Sequence, residues 1–258
     1  MNALFVAWRS GEPRDAVWGP VGRLEHDGQI YRFQYTLGAR TLPGFTPFPG
    51  MDDLEEAYES VELLPLFANR LLSPSRPEYE AFLRWGGFDV SVPPSPLAIL
   101  GVTEGLRKTD YIETFPCPVP DSRGCYVNTF FLHGIRWMPP HSVERLADLR
   151  PNERLFLMPD PCNPADPNAV AVRTESQRTL IGYVPRYLAR DVRFLLSECD
   201  HNSVELCVER VNREAPLQQR LLCRLRTCWP DGFRPCADES FQPICSPARG
   251  REPSSVYD

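Results

Sequence analysis

The chain has 258 residues, of which 42% are hydrophobic and 24% charged, an ordinary balance for a protein with a real core. Its 28 prolines exclude a long helical bundle, because proline stops helices and is restricted in strands. At this length two small domains rich in turns and strands are expected.

The opening residues Met1 to Arg9 lack a basic segment followed by an apolar run and a cleavage site, and no stretch approaches the roughly 18 apolar residues of a spanning helix. A cytoplasmic protein with no membrane partner is expected. The net charge of −6 argues against a protein that coats nucleic acid, but the charge is uneven. Residues 1–118 hold 10 basic and 16 acidic side chains, whereas residues 128–230 hold 14 and 12. Of the 28 basic residues one is a lysine, Lys108, so phosphate contacts would come from arginine. Codon bias in a GC-rich genome produces the same preference.

Nine cysteines occur with no Cys-x-x-Cys pair, so reduced, mostly buried thiols are expected. Cys223, Cys228, Cys236 and Cys245 lack the close pairing usual for zinc ligands, and no metal or cofactor is expected.

Residues 4–8 and 30–36 are aromatic and β-branched and read as two paired strands. From Asp52 the spacing of Leu54, Tyr58, Val61, Leu64, Phe67 and Leu71 predicts helix, interrupted or restarted at Pro65. A helix from Pro77 to Trp85 ends at Gly86-Gly87, and a short helix and a strand follow over Leu97–Gly105 and Tyr111–Phe115. The first domain, 1–118, is therefore α+β, and 119–127 is a linker rich in proline and turn residues.

Beyond it, β-type runs at 126–132, 154–158, 169–173, 180–183, 204–211 and 220–228 predict a small, mainly β barrel over 128–230. It carries one or two short helices, one of them near Arg186 to Ser197. Residues 231–258 read as a tail, disordered from about 237.

Four segments in fixed order carry a resemblance: His133-Gly134-Ile135-Arg136-Trp137, Arg154–Met158, Asn163-Pro164-Ala165-Asp166-Pro167-Asn168-Ala169-Val170, and Ile181-Gly182-Tyr183-Val184-Pro185-Arg186 before a helix. Over residues 128–228 the chain resembles the HIRAN domain. The resemblance implies an OB-like β-barrel that holds the 3′ end of single-stranded DNA. That chemistry uses aromatic faces for bases, cations for phosphate and an acceptor for the terminal hydroxyl.

Carried over residue by residue, the resemblance implies a nucleic-acid site of Arg136, Trp137, Met138, Asp166, Tyr183 and Arg186. Within it, Trp137 stacks a base and Asp166 accepts from the hydroxyl. Gly134, Asn163, Pro164, Asn168 and Gly182 are its structural motif residues. Two positions depart from the family's pattern: Ala165 and Met138 stand where the best understood members have aromatics. Tyr183 or Tyr187 would have to replace a missing stacking face. The residues themselves also allow blander roles: Asx side chains in a proline-broken loop cap backbone groups, a tryptophan at a strand end plugs a barrel, and the two arginines are solvated charges.

Val21 to Leu24, Phe33 and Tyr35, Leu63–Leu71 and the Leu97–Gly105 segment make residues 4–110 similar to the N-terminal subdomain of HipA-type kinases. That subdomain is accessory, and no phosphoryl-transfer set accompanies it here. Common enzyme motifs such as Gly-x-Ser-x-Gly, His-Glu-x-x-His and a Walker loop are absent from the sequence. The four histidines read as surface or capping residues. The expectation is a non-catalytic adaptor for DNA ends or damaged DNA. The alternative is a protein-interaction module that binds its partner through residues 1–118.

Overall fold

The aromatic and β-branched start of the chain forms β1 (Ala3–Arg9), followed by β2 (Trp18–His26) and β3 (Tyr31–Tyr35). The computed structural model describes residues 3–10, 17–107, 110–200 and 202–245; Lys108, His201 and 246–258 lie outside the described residues. After β3 come α1 (Gly38–Thr41), β4 (Ala57–Ser60), α2 (Pro65–Ala68), α3 (Tyr79–Trp85), α4 (Pro96–Thr103) and β5 (Ile112–Phe115). The five strands make one antiparallel sheet in the order β4-β3-β2-β1-β5.

Two expectations are corrected here. The strands at 4–8 and 30–36 do not pair with each other, because β2 lies between them. The helical spacing from Asp52 yields a strand first: Tyr58 pairs with Phe33 in the sheet, and its hydroxyl donates to the carbonyl of Asp53 at 2.9 Å. Only from Pro65, which supplies the preset φ of a first helical position, does the chain turn helical.

The second half contains β6 (Cys125–Phe131), α5 (Pro140–Asp148), β7 (Arg154–Pro159), β8 (Val170–Thr174), β9 (Leu180–Tyr183), α6 (Arg186–Glu198), β10 (Glu205–Val211) and β11 (Leu221–Cys228). All six expected strands are present, in the order β6-β11-β10-β7-β8-β9. The sheet curls into a half-barrel whose two edges meet just beyond β6, at a bridge between His133 and Tyr183. The first strand begins at Cys125, inside the expected linker, where Asp121 accepts from the backbone of Arg123 and Cys125 at 2.8 and 2.9 Å. Helix α5 joins α6 as a second helix; Pro140 starts it and Leu146 anchors it in the core.

Leu4 and Val6 enter the core of the first sheet, while Phe5 and Ala7, on the opposite face of β1, enter the core of the half-barrel together with Phe115 of β5. The alternation of a strand thus feeds two cores at once. The segment expected to be a tail also belongs to the fold through residue 245. Phe241 packs edge-on against Phe5 at 4.8 Å, the amide of Leu37 donates to the carbonyl of Gln242 at 2.8 Å, and that of Ile244 to Tyr35 at 2.9 Å. Its apolar residues find places in the cores, Phe233 and Phe241 in that of the half-barrel and Ile244 in that of the first sheet.

All nine thiols are free, but only Cys199 and Cys223 are buried, against the expectation that most would be. The four cysteines considered as a set are scattered: Cys223 is in the core, Cys228 lies 3.1 Å from Cys199, and Cys245 contacts the carbonyl of Glu55. Among the described residues no helix is long and apolar enough to cross a membrane.

Candidate nucleic-acid interface

The first motif leaves the barrel through Gly134, whose φ of 72° lies in the left-handed region and directs the chain into a single 3-10 turn, Ile135–Trp137. Ile135 is buried and anchors the turn, so that Arg136 and Trp137 project outward. Trp137 is 70% exposed, which rules out its use as a barrel plug. The Arg136 guanidinium sits 4.7 Å from the indole centroid, a cation–π pair open to solvent. Met138 is half-buried beside it, with its amide donating to Ile135 at 3.0 Å.

The loop between β7 and β8 is held by its own side chains. Asn163 Oδ1 accepts from the amides of Ala165 and Asp166 at 3.0 and 3.3 Å, and its Nδ2 donates to Asp160 Oδ2 at 3.2 Å. Asp166 Oδ1 accepts from the Asn168 amide at 2.8 Å, while its other oxygen, Oδ2, lies 3.8 Å from Arg186 Nε. Asn163 is therefore a scaffold residue, and Pro164 is exposed at the bend. Asp166 combines the two roles, with one oxygen holding the turn and the other facing the arginine.

Tyr183 ties this loop to the first motif. Its backbone exchanges two hydrogen bonds with His133, both 2.9 Å, and its hydroxyl donates to Asp160 Oδ2 at 3.1 Å. Burial and the Asp160 carboxylate together raise the Tyr183 hydroxyl above its usual value of 10. Gly182 permits the approach, since a Cβ there would lie 2.5 Å from the His133 carbonyl oxygen. Tyr187 is not a spare stacking face: it is buried against Phe115 with ring centroids 4.5 Å apart, and its hydroxyl donates to Glu104 at 3.0 Å.

A cleft of about 470 Å³ opens beside Asp166 and Arg186. One wall is Asp166, Asn168, Arg186 and Arg190 of the barrel; the facing wall is Trp18, Gly38 and Leu42 of the first sheet; Arg234, Asp238 and Phe241 close one end. Arg136, Trp137, Met138 and Tyr183 do not line it. The residues expected to form one site thus divide between an exposed turn and a cleft, with Tyr183 and the Asp160–Asn168 loop connecting them. Trp18 and Arg234 are additions that sequence spacing could not supply, because they lie far from the motifs along the chain; Arg190 joins them from one helical turn after Arg186.

Trp18 and Tyr187 link the cleft to a polar cluster around the buried Glu104. His133 Nε2 lies 2.8 and 2.9 Å from the two carboxylate oxygens of Glu104, and Glu113 accepts from the indole nitrogen of Trp18. His133 is therefore an interface residue and not a surface or capping one. Burial works against its charge, but the Glu104 carboxylate and its hydrogen bond, with Glu113 behind, outweigh this and hold the ring above 6.5. Glu113 is itself raised, by burial and then by the charge of Glu104. On the cleft wall, burial pushes Asp191 up to about 7.

Residues 127–227 match the family model for the HIRAN domain, within one residue of the expected limits at each end. Two solved structures are similar to about two fifths of the chain. One is a protein from Lactobacillus plantarum, 24% identical, covering 40% of this chain and 96% of that one with a TM-score of 0.32. The other is the HIRAN domain of human HLTF, 19% identical, covering 41% and 77%, with a TM-score of 0.29. No curated protein matches the chain.

Proposed function

We propose that this chain is a non-catalytic adaptor whose HIRAN domain recognises 3′ ends of single-stranded DNA, or damaged DNA presenting such ends. The observation that carries the reading lies within the matched residues 127–227: an arginine–tryptophan pair stands in solvent, and an aspartate–arginine pair opens into a cleft of about 470 Å³. A strand end asks for these parts, an aromatic face for a base, guanidinium forks for phosphates and a carboxylate for the terminal hydroxyl. Asp166 Oδ2 is the oxygen not engaged with the Asn168 amide, which suits it to that last role. The non-catalytic part of the proposal rests on the absence of common catalytic motifs from the sequence.

Fluorescence anisotropy with single-stranded oligonucleotides, their 3′ ends free or phosphorylated, tests it at two salt concentrations. Binding that weakens with salt and is lost on 3′-phosphorylation is expected, with Arg136→Ala and Trp137→Ala each reducing affinity. Indifference to the 3′-phosphate would remove the hydroxyl-acceptor role of Asp166.

A second reading, a protein-interaction module working through the HipA-like residues 1–118, is favoured by one observation. Val61 and Val92 are 78% and 66% exposed on this acidic half. It would be selected by finding no oligonucleotide affinity at either salt, together with a partner that Val61→Asp and Val92→Asp release.

A further inference from the structure

The cleft beside Asp166 is not made by the HIRAN domain alone. Trp18 of β2 lines it from the first sheet, half-buried, with its indole nitrogen donating to Glu113 and its ring stacked on Phe115 at 6.1 Å. The Arg186 guanidinium lies over the same indole, 5.8 Å from the centroid. An aromatic ring, the acidic–basic pair and two further arginines therefore face one space. Its volume falls in the range of about 300–1,000 Å³ that small-ligand sites occupy.

We propose that this cleft is a composite pocket for the terminal nucleotide, in which Trp18 supplies the aromatic wall for the base while Arg190 and Arg234 attract its phosphate. The inference rests on the DNA-end reading and deepens it by placing the end between the two halves of the chain. Arg190 is 70% exposed at its side chain and is held 3.4 Å from Asp238 at the cleft mouth, an ion pair weak enough to exchange for a phosphate. Arg234 is exposed on the closing segment.

The test uses the full chain, with Trp18→Ala and Trp18→Phe, against oligonucleotides whose 3′-terminal nucleotide carries or lacks its base. Stacking of one base on an aromatic side chain predicts a loss of about ten-fold for Trp18→Ala on the base-bearing end, with most of it restored by Trp18→Phe. Removing the terminal base should cost the unsubstituted protein a similar factor and make Trp18→Ala harmless. Thermal melting of both variants separates loss of the wall from loss of the fold.

Equal weakening of base-bearing and abasic ends by Trp18→Ala, or no weakening of either, would overturn the composite pocket. Binding that still required a free 3′-hydroxyl would then leave the DNA-end reading standing without it. No binding by the unsubstituted chain to any oligonucleotide would overturn both.

Discussion

Arg136 and Trp137 stand in solvent on a three-residue turn anchored by Ile135, whereas Asp166 and Arg186 lie in a cleft whose lining comes from five separated stretches of chain. The first arrangement depends on local backbone alone, so its side chains can change while the fold stays as it is. The second depends on how the first sheet docks on the barrel, so substitutions that disturb the docking reach it from a distance. Binding chemistry and folding are therefore separable at the turn and coupled at the cleft.

The largest effect should come from breaking the docking itself. Phe115 is 1% exposed and contacts Phe5, Trp18, Tyr187 and Phe241, so Phe115→Ala is expected to cost about 3–5 kcal/mol in denaturant unfolding. A loss below about 1 kcal/mol would show that the two halves do not share a core. Next comes the link between turn and loop. At Gly182→Ala the new Cβ must displace the His133 carbonyl, and a destabilisation of about 1–3 kcal/mol is expected from the same measurement.

The His133–Glu104 contact gives a smaller, pH-dependent effect. Because the folded protein holds His133 above 6.5, its contribution to stability is fully present below that pH and fades as pH rises through the raised value. His133→Gln should therefore lower the melting temperature most below pH 6, with the gap to the unsubstituted protein narrowing on the alkaline side. A gap that widened with pH would contradict the assignment.

The smallest stability effect belongs to the turn. Trp137→Ala should leave unfolding unchanged within about 0.5 kcal/mol, since the ring is 70% exposed. On the DNA-end reading, the same variant should lose about 1–3 kcal/mol of oligonucleotide affinity. Loss of stability without loss of affinity would reverse the comparison between turn and cleft.

Much of the second half was legible from residue order. Its six strands follow short β-branched runs bounded by turn residues, and Asn163 and Asp166 behave as Asx residues do in a proline-broken loop. The second short helix was allowed for but not placed; it is α5, begun by Pro140 and anchored by Leu146. In the first half, the apolar spacing after Asp52 fitted a helix, yet pairing with β3 prevailed because Tyr58 gains a cross-strand partner in Phe33.

The sequence by itself determined the local pieces: the strands of the barrel and the Asx residues of the loop between β7 and β8. Only the tertiary structure decided that Phe5, Phe115 and Phe241 close one core, that His133 meets Glu104, and that Trp18 faces Asp166 and Arg186 across a cleft. The reason is range. Turn chemistry and strand alternation act over a few neighbouring residues, whereas a seam between two sheets depends on side chains that come together only once both have folded.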